Sequence, residues 1–545
     1  MDRNLTRGGP APTAGSGACA GGPPRRVCVL GAGASGLTLA RELVRLGHEV
    51  VVLENTDQVG GKAESVYVDG RAYDMGAHVC TTAYTELYSL AAELGVETED
   101  ATPTLELDAG HRRAAPPGSG FFRRRAFQRY LRLREREFPD AGRPGLAHSA
   151  AALALPISSW LDAEGLGAMA GSLGTGYTSG GFGLLTDPGL PALYFVKFAE
   201  LTGLVGSGAP LGGHAGNFTV KDGFARLWRR VAKELPDVRT GVRVEWIERG
   251  PDAVTVRTGS EQVTADALVL TVPLDRVRTV MDLTDEERDI ASRVRTVDYR
   301  TVLCRVSGLP RGGMFLLPWR GAAAATSGGR CVAYHSRYAG QDLVVAYCYG
   351  DGVDAGALRE RLGEDLARAG GRLEEVLRVA EWPFMPHFGC EDVAAGVLER
   401  LEASQGLNRT YHAGSLPAFE LIETNVAYAR DLAARFFQIT ERAAGPAPPR
   451  AAGPVHADGL YGAEEIRVWL VRRVAAELNQ PECEIDPSIP VEAYGLDSLE
   501  VADIQADLSE RIGFRVPPTL LSEFPTLDAV ARHLASAERA EPGGE

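Results

Sequence analysis

Apolar positions along the chain change period several times, and the changes divide it. Val27 to Leu30 is a continuous apolar run too short for a helix; Gly31-Ala32-Gly33-Ala34-Ser35-Gly36 interrupts it, and Leu37, Ala40 and Val44 then recur at helical spacing. A second apolar run, Val50 to Leu53, closes on Glu54. This order predicts strand, turn, helix, strand. Tyr67 to His78 reads as a hairpin leading into a loop, and residues 253–272 alternate before becoming continuously apolar, which predicts a hairpin and then a buried strand. Residues 100–210 mix helical patterns with a glycine-rich stretch from Gly165 to Gly183. Towards the end, Ile466, Leu470, Val474 and Leu478 form one helical stripe and Val501, Ile504, Leu508 and Ile512 another. With a last helix expected from about Thr526 to Leu534, these make a small bundle.

The first glycines have separate tasks. Gly31 permits a tight turn, Gly33 lets the backbone approach a pyrophosphate, and Gly36 lets helix and strand pack closely, leaving N–H groups at the helix start for phosphate oxygens. Glu54 lies near the distance at which an acidic residue meets a ribose hydroxyl, which favours an unphosphorylated ribose such as that of FAD or NAD.

Gln58-Val59-Gly60-Gly61-Lys62-Ala63-Glu64-Ser65 resembles the second glycine motif of the flavin amine oxidase and protoporphyrinogen oxidase superfamily, in which Gly60, Gly61 and Lys62 would help hold FAD. The resemblance extends through residues 27–440 in separated motifs in the right order. It implies that the stretch ending at His78 passes close to the flavin ring, which makes His78 a candidate catalytic group or else a hydrogen-bonded loop histidine. It also implies that the backbone at Val244 meets adenine and that Gly414 lies near the pyrophosphate. A helix beginning near Asn425 would offer N–H groups to the flavin C2 carbonyl, stabilising the charge that reduced flavin gathers there. Two departures stand out. Thr424-Asn425 replaces the usual Gly-Ala, and Ser415 replaces the usual Glu. The amine oxidases also place a lysine near flavin N5 on a strand matching Tyr299 to Leu303, where the aligned residue is Arg300; the only lysines are 62, 197, 221 and 233. Arg300 is a candidate for binding an acidic group or an enolate, against the alternative of a structural ion pair.

Composition narrows the rest. With 545 residues and 45% apolar content the chain has ample core, and a net charge of −15 argues against general nucleic-acid binding. The eight cysteines contain no C-x-x-C pair, so neither a disulfide framework nor a metal site is expected, and a cytoplasmic location fits. Residues 1–24 lack the apolar core of a signal peptide and read as a disordered tail; no membrane span is expected. Ala443 to Gly459 reads as a semi-extended linker. Beyond it, Tyr494-Gly495-Leu496-Asp497-Ser498-Leu499 resembles the phosphopantetheine attachment motif of acyl carrier proteins, with Ser498 as the acceptor hydroxyl at a helix start; the alternative is a plain capping serine. Residues 461–535 hold 14 acidic and 6 basic side chains, a balance of −8, whereas Phe121 to Arg136 is the densest basic run of the chain, so the two are expected to attract.

The expected fold is therefore an α/β Rossmann-type FAD-binding domain with an inserted α+β substrate domain, followed by a small all-α carrier of four helices. Residues 25–100, 211–290 and 371–441 are assigned to the FAD domain, 101–210 and 291–370 to the substrate domain, 442–460 to the linker and 461–537 to the carrier. The expected activity is FAD-dependent dehydrogenation of an acyl or aminoacyl thioester held on 4'-phosphopantetheine, in polyketide-type natural-product biosynthesis. Expected partners are the tethered substrate, a phosphopantetheinyl transferase and other assembly-line enzymes. A redox-neutral double-bond isomerase and a non-catalytic docking protein are the alternatives.

Overall fold

The computed structural model describes residues 22–107, 114–115, 121–201, 216–259, 261–317, 328–439, 463–477 and 526–537, with Ile485, Pro487, Ile504, Asp507, Leu508, Leu520 and Phe524. The chain divides into two compact units, residues 1–200 with 214–443, and residues 201–213 with 444–545.

In the larger unit, the two apolar runs become the strands Arg26–Leu30 and Glu49–Leu53, joined by the helix Ala34–Arg45. They pair in parallel, Val27 with Val50 through Leu30 with Leu53, and sit inside a five-stranded sheet. Ala267–Leu270 and Thr410–His412 extend it on one side and Val238–Arg239 on the other, all in parallel register. Val27, Val29, Val52, Leu268 and Val269 are fully buried, as expected of a sheet covered on both faces. The helix Ala34–Arg45 packs between the helices Ile422–Phe436 and Ala225–Glu234. Its buried Arg41 is paired with Glu93 at 2.8 Å and Glu234 at 2.9 Å, so the charge enters the packing with both partners in place. Val254–Thr258 and Gln262–Ala265 form the expected hairpin and continue to Val244–Arg249 in a three-stranded antiparallel meander.

A seven-stranded sheet forms the second layer. Its order is Arg372–His387, Arg295–Ser307, Leu343–Tyr349, Cys331–Ser336, Gly313–Leu316, Thr104–Leu107, Ala114–Ala115. The pairing moves one boundary of the expected domains. Residues 372–387 bond along Arg295–Ser307, Tyr299 facing Trp382 and Val302 facing Val379, so this stretch belongs to the second sheet and the last dinucleotide segment begins after it. One face of the sheet, with Val302, Cys304 and Cys348, is covered by the helix Ala355–Arg368. The other face, with Tyr299, Leu303, Tyr347 and Tyr349, packs on Tyr73 of the hairpin Ser65–Val68/Arg71–Asp74 and on Met75 just after it.

In the smaller unit, the helices Ala463–Glu477 and Leu527–Ala537 pack through Ile466, Leu470 and Val474 against Leu527, Val530 and Leu534, with Ile504 and Leu508 in the same core. Leu478, Val501, Ile512 and Ser498 lie outside the described residues. Among the described residues no helix is long and apolar enough to cross a membrane.

Candidate functional site

The turn after Arg26–Leu30 shows why three glycines recur there. Gly31 has φ +104° and donates its N–H to Leu53 O at 2.8 Å, locking the turn across the two strands. A Cβ on Gly36 would overlap the Gly31 carbonyl oxygen. Gly33 differs from both: its backbone is extended (φ −78°, ψ −175°), and a Cβ there would meet only Gly61 Cα, at 3.9 Å. Gly33 bridges to Gly60, whose N–H reaches Ala32 O at 2.8 Å, so two side-chain-free turns face each other at the start of a helix. The first intrahelical bond runs from Leu37 N to Gly33 O; the N–H groups of Ala34, Ser35 and Gly36 precede it. Glu54 lies beside this cradle. Its Oε2 accepts from Ala32 N and its Oε1 from Thr56 N and Oγ1, each at 2.8 Å, which fixes a half-exposed carboxylate at the end of the second strand. Val242 N reaches Glu54 O at 2.8 Å, bringing the segment that leads to Val244 to the same edge. Gly414, at φ +87°, packs on the Thr271 carbonyl, and Thr271 Oγ1 in turn bonds Leu30 O at 2.7 Å. A bare glycine cradle, a helix start and a fixed carboxylate are what a dinucleotide pyrophosphate and ribose require, so the residues fit FAD.

Lys62 points its ammonium at Glu420 Oε2, 2.7 Å away, and over the Phe384 ring at 5.2 Å. Glu420 also accepts from Met385 N and from Ser415 Oγ, so a carboxylate does reach the neighbourhood of Ser415, supplied from five residues downstream.

Asn425 differs from expectation. The helix starts at Ile422, and Asn425 N is already bonded to Leu421 O at 3.1 Å, so it has no free N–H to offer. Its side chain acts instead: Oδ1 accepts from Ser35 Oγ at 2.6 Å, and Nδ2 donates to Phe419 O at 2.9 Å and Leu421 O at 2.7 Å. Thr424 Oγ1 bonds the same two carbonyls. Both departures from the usual Gly-Ala therefore hold one turn, in which Phe419 has φ +87°, a conformation costly for a large side chain. The Phe419 ring lies against Phe182, with centroids 5.2 Å apart.

Arg300 is also displaced from its expected place. On Arg295–Ser307 successive residues alternate faces, and Arg300 lies opposite Cys348 whereas Thr301 lies opposite Tyr347. The Arg300 guanidinium bonds the Asp298 carboxylate at 3.1 and 3.2 Å and Val353 O at 2.8 Å, on the face covered by Ala355–Arg368. It is a structural ion pair. Thr301 takes the other face, its Oγ1 donating to Met75 O at 2.7 Å beside Trp382 Nε1.

His78 stands on that same face. Its Nδ1 lies 3.2 Å from Gly76 O and 3.1 Å from Tyr347 Oη, its ring is 4.8 Å from that of His335, and its Nε2 is buried without a partner. Because the Gly76 carbonyl can only accept, Nδ1 carries the proton and Nε2 presents a lone pair. Burial pushes the His78 pKa down to about 4, so the ring is neutral at pH 7. Burial, and after it His78 and Arg337, hold the His335 pKa well below the ordinary histidine value, and its Nε2 contacts Thr102 Oγ1 at 3.0 Å. Beside them Arg337 binds Asp74 and Glu99, each at 2.7 Å. His78, His335, Arg337 and Glu99 line a cavity of about 220 Å³, with Thr102, Thr219 and Tyr338 on its walls. Sequence reading missed Thr301, Tyr347, His335, Arg337 and Thr219. Tyr347 is 269 residues from His78, and no local motif announces such a pair.

The basic run folds as the helix Phe121–Glu137, in which Arg125, Arg129, Arg132 and Arg136 are exposed and Tyr130 and Leu133 buried; the side chains of Arg123 and Arg124 lie outside the described residues.

Comparison with known proteins gives the following similarities. Putrescine oxidase of Kocuria rosea is 47% identical over 74 residues, 14% of this chain and 16% of that protein. Zeta-carotene desaturase of Solanum lycopersicum is 40% identical over 78 residues, 14% of this chain and 13% of that one, so the chain spans about a sixth or less of the length of these curated relatives. In structure, a CLA-producing fatty acid isomerase from P. acnes matches 76% of this chain and 99% of its own with a TM-score of 0.68 at 24% identity, a likeness of fold. The profile of flavin containing amine oxidoreductases matches residues 34–306, half of the chain, and that of the phosphopantetheine attachment site matches 468–534. Cradle, carboxylate and profile agree: the chain belongs to the flavin containing amine oxidoreductase family, with FAD as its cofactor, and carries a C-terminal domain for 4'-phosphopantetheine.

Proposed function

We propose that this chain dehydrogenates an acyl or aminoacyl group held as a thioester on the phosphopantetheine arm of Ser498, in polyketide-type biosynthesis. The observation that carries the reading is the joining, in one chain, of a flavin amine oxidoreductase fold and a phosphopantetheine attachment domain. Tethering raises the effective concentration of a scarce intermediate and excludes untethered analogues. Bound FAD supplies the two-electron acceptor. No lysine stands on Arg295–Ser307, the strand that matches the one on which the amine oxidases place theirs, which argues for a substrate other than a simple amine.

The lowered pKa of His78 supports a part as hydrogen-bond acceptor over one as base. Moving a proton at pH 7 onto a group of pKa about 4 costs about 4 kcal/mol. His78 is thus a poor store for a proton and a good hydrogen-bond acceptor, held in orientation by Gly76 and Tyr347. A second reading, double-bond isomerisation of a tethered chain, is favoured by the similarity in fold to a fatty acid isomerase.

Both readings are tested by converting the carrier to its pantetheine form, loading candidate acyl groups and following flavin absorbance without oxygen. Dehydrogenation bleaches the flavin and removes two hydrogens from the acyl group in the intact mass. Isomerisation leaves mass and flavin unchanged and alters the double bond recovered from the carrier. No bleaching and no altered product with any load would refute both.

A further inference from the structure

The helix Phe121–Glu137 concentrates charge of one sign. Its seven arginines and two glutamates leave a balance of +5 in a chain whose net charge is −15. The exposed Arg125, Arg129, Arg132 and Arg136 are spaced four, three and four apart, so they share one face as a stripe about 16 Å long. Other helices of the flavin unit match their arginines internally, Arg293 with Asp289 and Arg435 with Asp431, each four residues apart. This stripe is unmatched. Among the described residues Arg125 and Arg132 have no ion-pair partner, Arg129 gives its Nε–H to the Glu164 carbonyl, and Arg136 meets its neighbour Glu137. The helix itself is firmly held: Ala126, Tyr130 and Leu133 are buried, and Glu200 accepts from Tyr130 Oη at 2.6 Å and pairs with Arg134 at 2.8 Å. Like charges four residues apart destabilise a helix, a cost that a facing row of carboxylates removes.

The chain contains such a row. Residues 461–535 carry a balance of −8, and after Ser498 come Glu500, Asp503, Asp507 and Glu510, three, four and three apart. That is the spacing of one helical face about 15 Å long. Asp507 is helical and exposed, with Arg473 at 2.7 Å; Glu500, Asp503 and Glu510 lie outside the described residues. Two rows of four, opposite in sign and alike in spacing, are complementary in charge and in reach.

Encounter rates decide whose carrier gains most from the stripe. A tether holds a chain's own carrier at an effective concentration set by the linker, without help from charge. Steering by opposite charges accelerates partners that meet by diffusion, by about ten- to thousandfold. The stripe therefore has its largest effect on a carrier that arrives on another molecule. We propose that Arg125, Arg129, Arg132 and Arg136 dock the acidic carrier of a second copy of this chain, so that the flavin unit of one chain serves the load of another. That the load is the substrate rests on the activity proposed above; the contact does not.

The contact is measured on full FAD-loaded chains by sedimentation velocity. Wild type should self-associate reversibly, at least about tenfold more weakly in about 0.15 M salt than in about 0.01 M, as the Debye length falls from about 30 Å to about 8 Å. Arg125→Glu with Arg132→Glu, which breaks no ion pair, should abolish self-association, and so should Glu500→Lys with Glu510→Lys. Mixing the two variants should restore it, because the intact carrier of one meets the intact stripe of the other. Variants that stay separate on mixing would overturn the proposal. So would a monomeric wild type whose two variants associate on mixing, which would place the docking within one chain. A wild type that binds phosphatidylglycerol vesicles through the stripe, but not itself, would give the stripe to a lipid surface and overturn it too. The flavin reaction takes no part in this measurement: if the mixture associates as expected and no loaded acyl group alters flavin or product, the contact stands and the proposed activity alone fails.

Discussion

Replacing Gly33 with valine separates cofactor binding from folding more cleanly than any other glycine substitution in the turn. The backbone at Gly33 is extended, a conformation valine adopts without strain, and the new Cβ would meet only Gly61 Cα, at 3.9 Å. The cost to the fold should therefore be no more than about 1 kcal/mol. The branched side chain would instead fill the space between the two glycine turns, where a pyrophosphate must come close to the N–H groups of the first helical turn. Losing two charge-assisted hydrogen bonds there costs about 3–6 kcal/mol, roughly a hundredfold to ten-thousandfold in FAD affinity. Two measurements check this: titration of apoprotein with FAD, followed by quenching of its fluorescence, and thermal unfolding without FAD. Gly33→Val should unfold near wild type yet bind FAD weakly. Gly36→Ala, whose methyl would overlap the Gly31 carbonyl, should lose stability even without cofactor. A Gly33→Val protein that binds FAD within a factor of three of wild type would refute the assignment of the cradle.

Thr424 and Asn425 donate to the same carbonyls of Phe419 and Leu421, so either can cover for the other. Thr424→Ala should cost less than about 1.5 kcal/mol, while the double change with Asn425→Ala should exceed the sum of the singles by about 1 kcal/mol or more in denaturant unfolding; strict additivity would contradict the shared latch. Burial lowers the pKa of both His78 and His412 to about 4, below the unfolded value near 6.5, so the stability they confer is full above pH 6.5 and lost as pH falls towards 4, at most about 3 kcal/mol each. Glu423 has the opposite sign: burial raises its pKa to about 7, so its contribution grows as pH falls from 7 towards 4.5. Glu423→Gln should hence make the fall in melting temperature between pH 6.5 and 4.5 steeper than in wild type, and a shallower fall would show the sign to be wrong. Arg300→Met should destabilise the second sheet, through loss of the Asp298 and Val353 contacts, but leave flavin absorbance and FAD affinity unchanged; a shifted flavin spectrum would return Arg300 to the site.

Local patterns reported what local physics determines. The run into Gly31, the helix after Gly36 and the carboxylate at Glu54 were legible because one turn imposes spacing on adjacent residues. The face that Arg300 takes was illegible because a side-chain period of two puts Arg300 and Thr301 on opposite faces, and it is the pairing with Cys348 and Tyr347 that tells the faces apart. Asn425 was recognised as unusual, yet its task depends on Ser35, 390 residues away, and on carbonyls exposed by the turn at Phe419. The cavity was illegible because the five segments that line it, around His78, Thr102, Thr219, Met314 and His335, share no motif; Thr219 is an ordinary threonine in a three-residue strand. The end of the second domain segment was misjudged because Arg372–His387 is polar for half its length, and it was strand pairing, not composition, that gave it a place.

One contact bears on how such a chain can be assembled. Gly22 N bonds Gln438 O at 3.0 Å and Gly22 bridges to Ile439, so the flavin unit closes on itself like a ring whose two ends touch. The order of its parts along the gene is then a matter of history more than of geometry. Joining residue 439 to residue 22 through a short loop and opening the ring at an exposed turn such as Asp69-Gly70 should leave every strand of the parallel sheet in register. A carrier fused ahead of residue 22 would begin its tether where one fused behind residue 439 does. Recombination could therefore move carriers from one end of such enzymes to the other without relocating their anchorage.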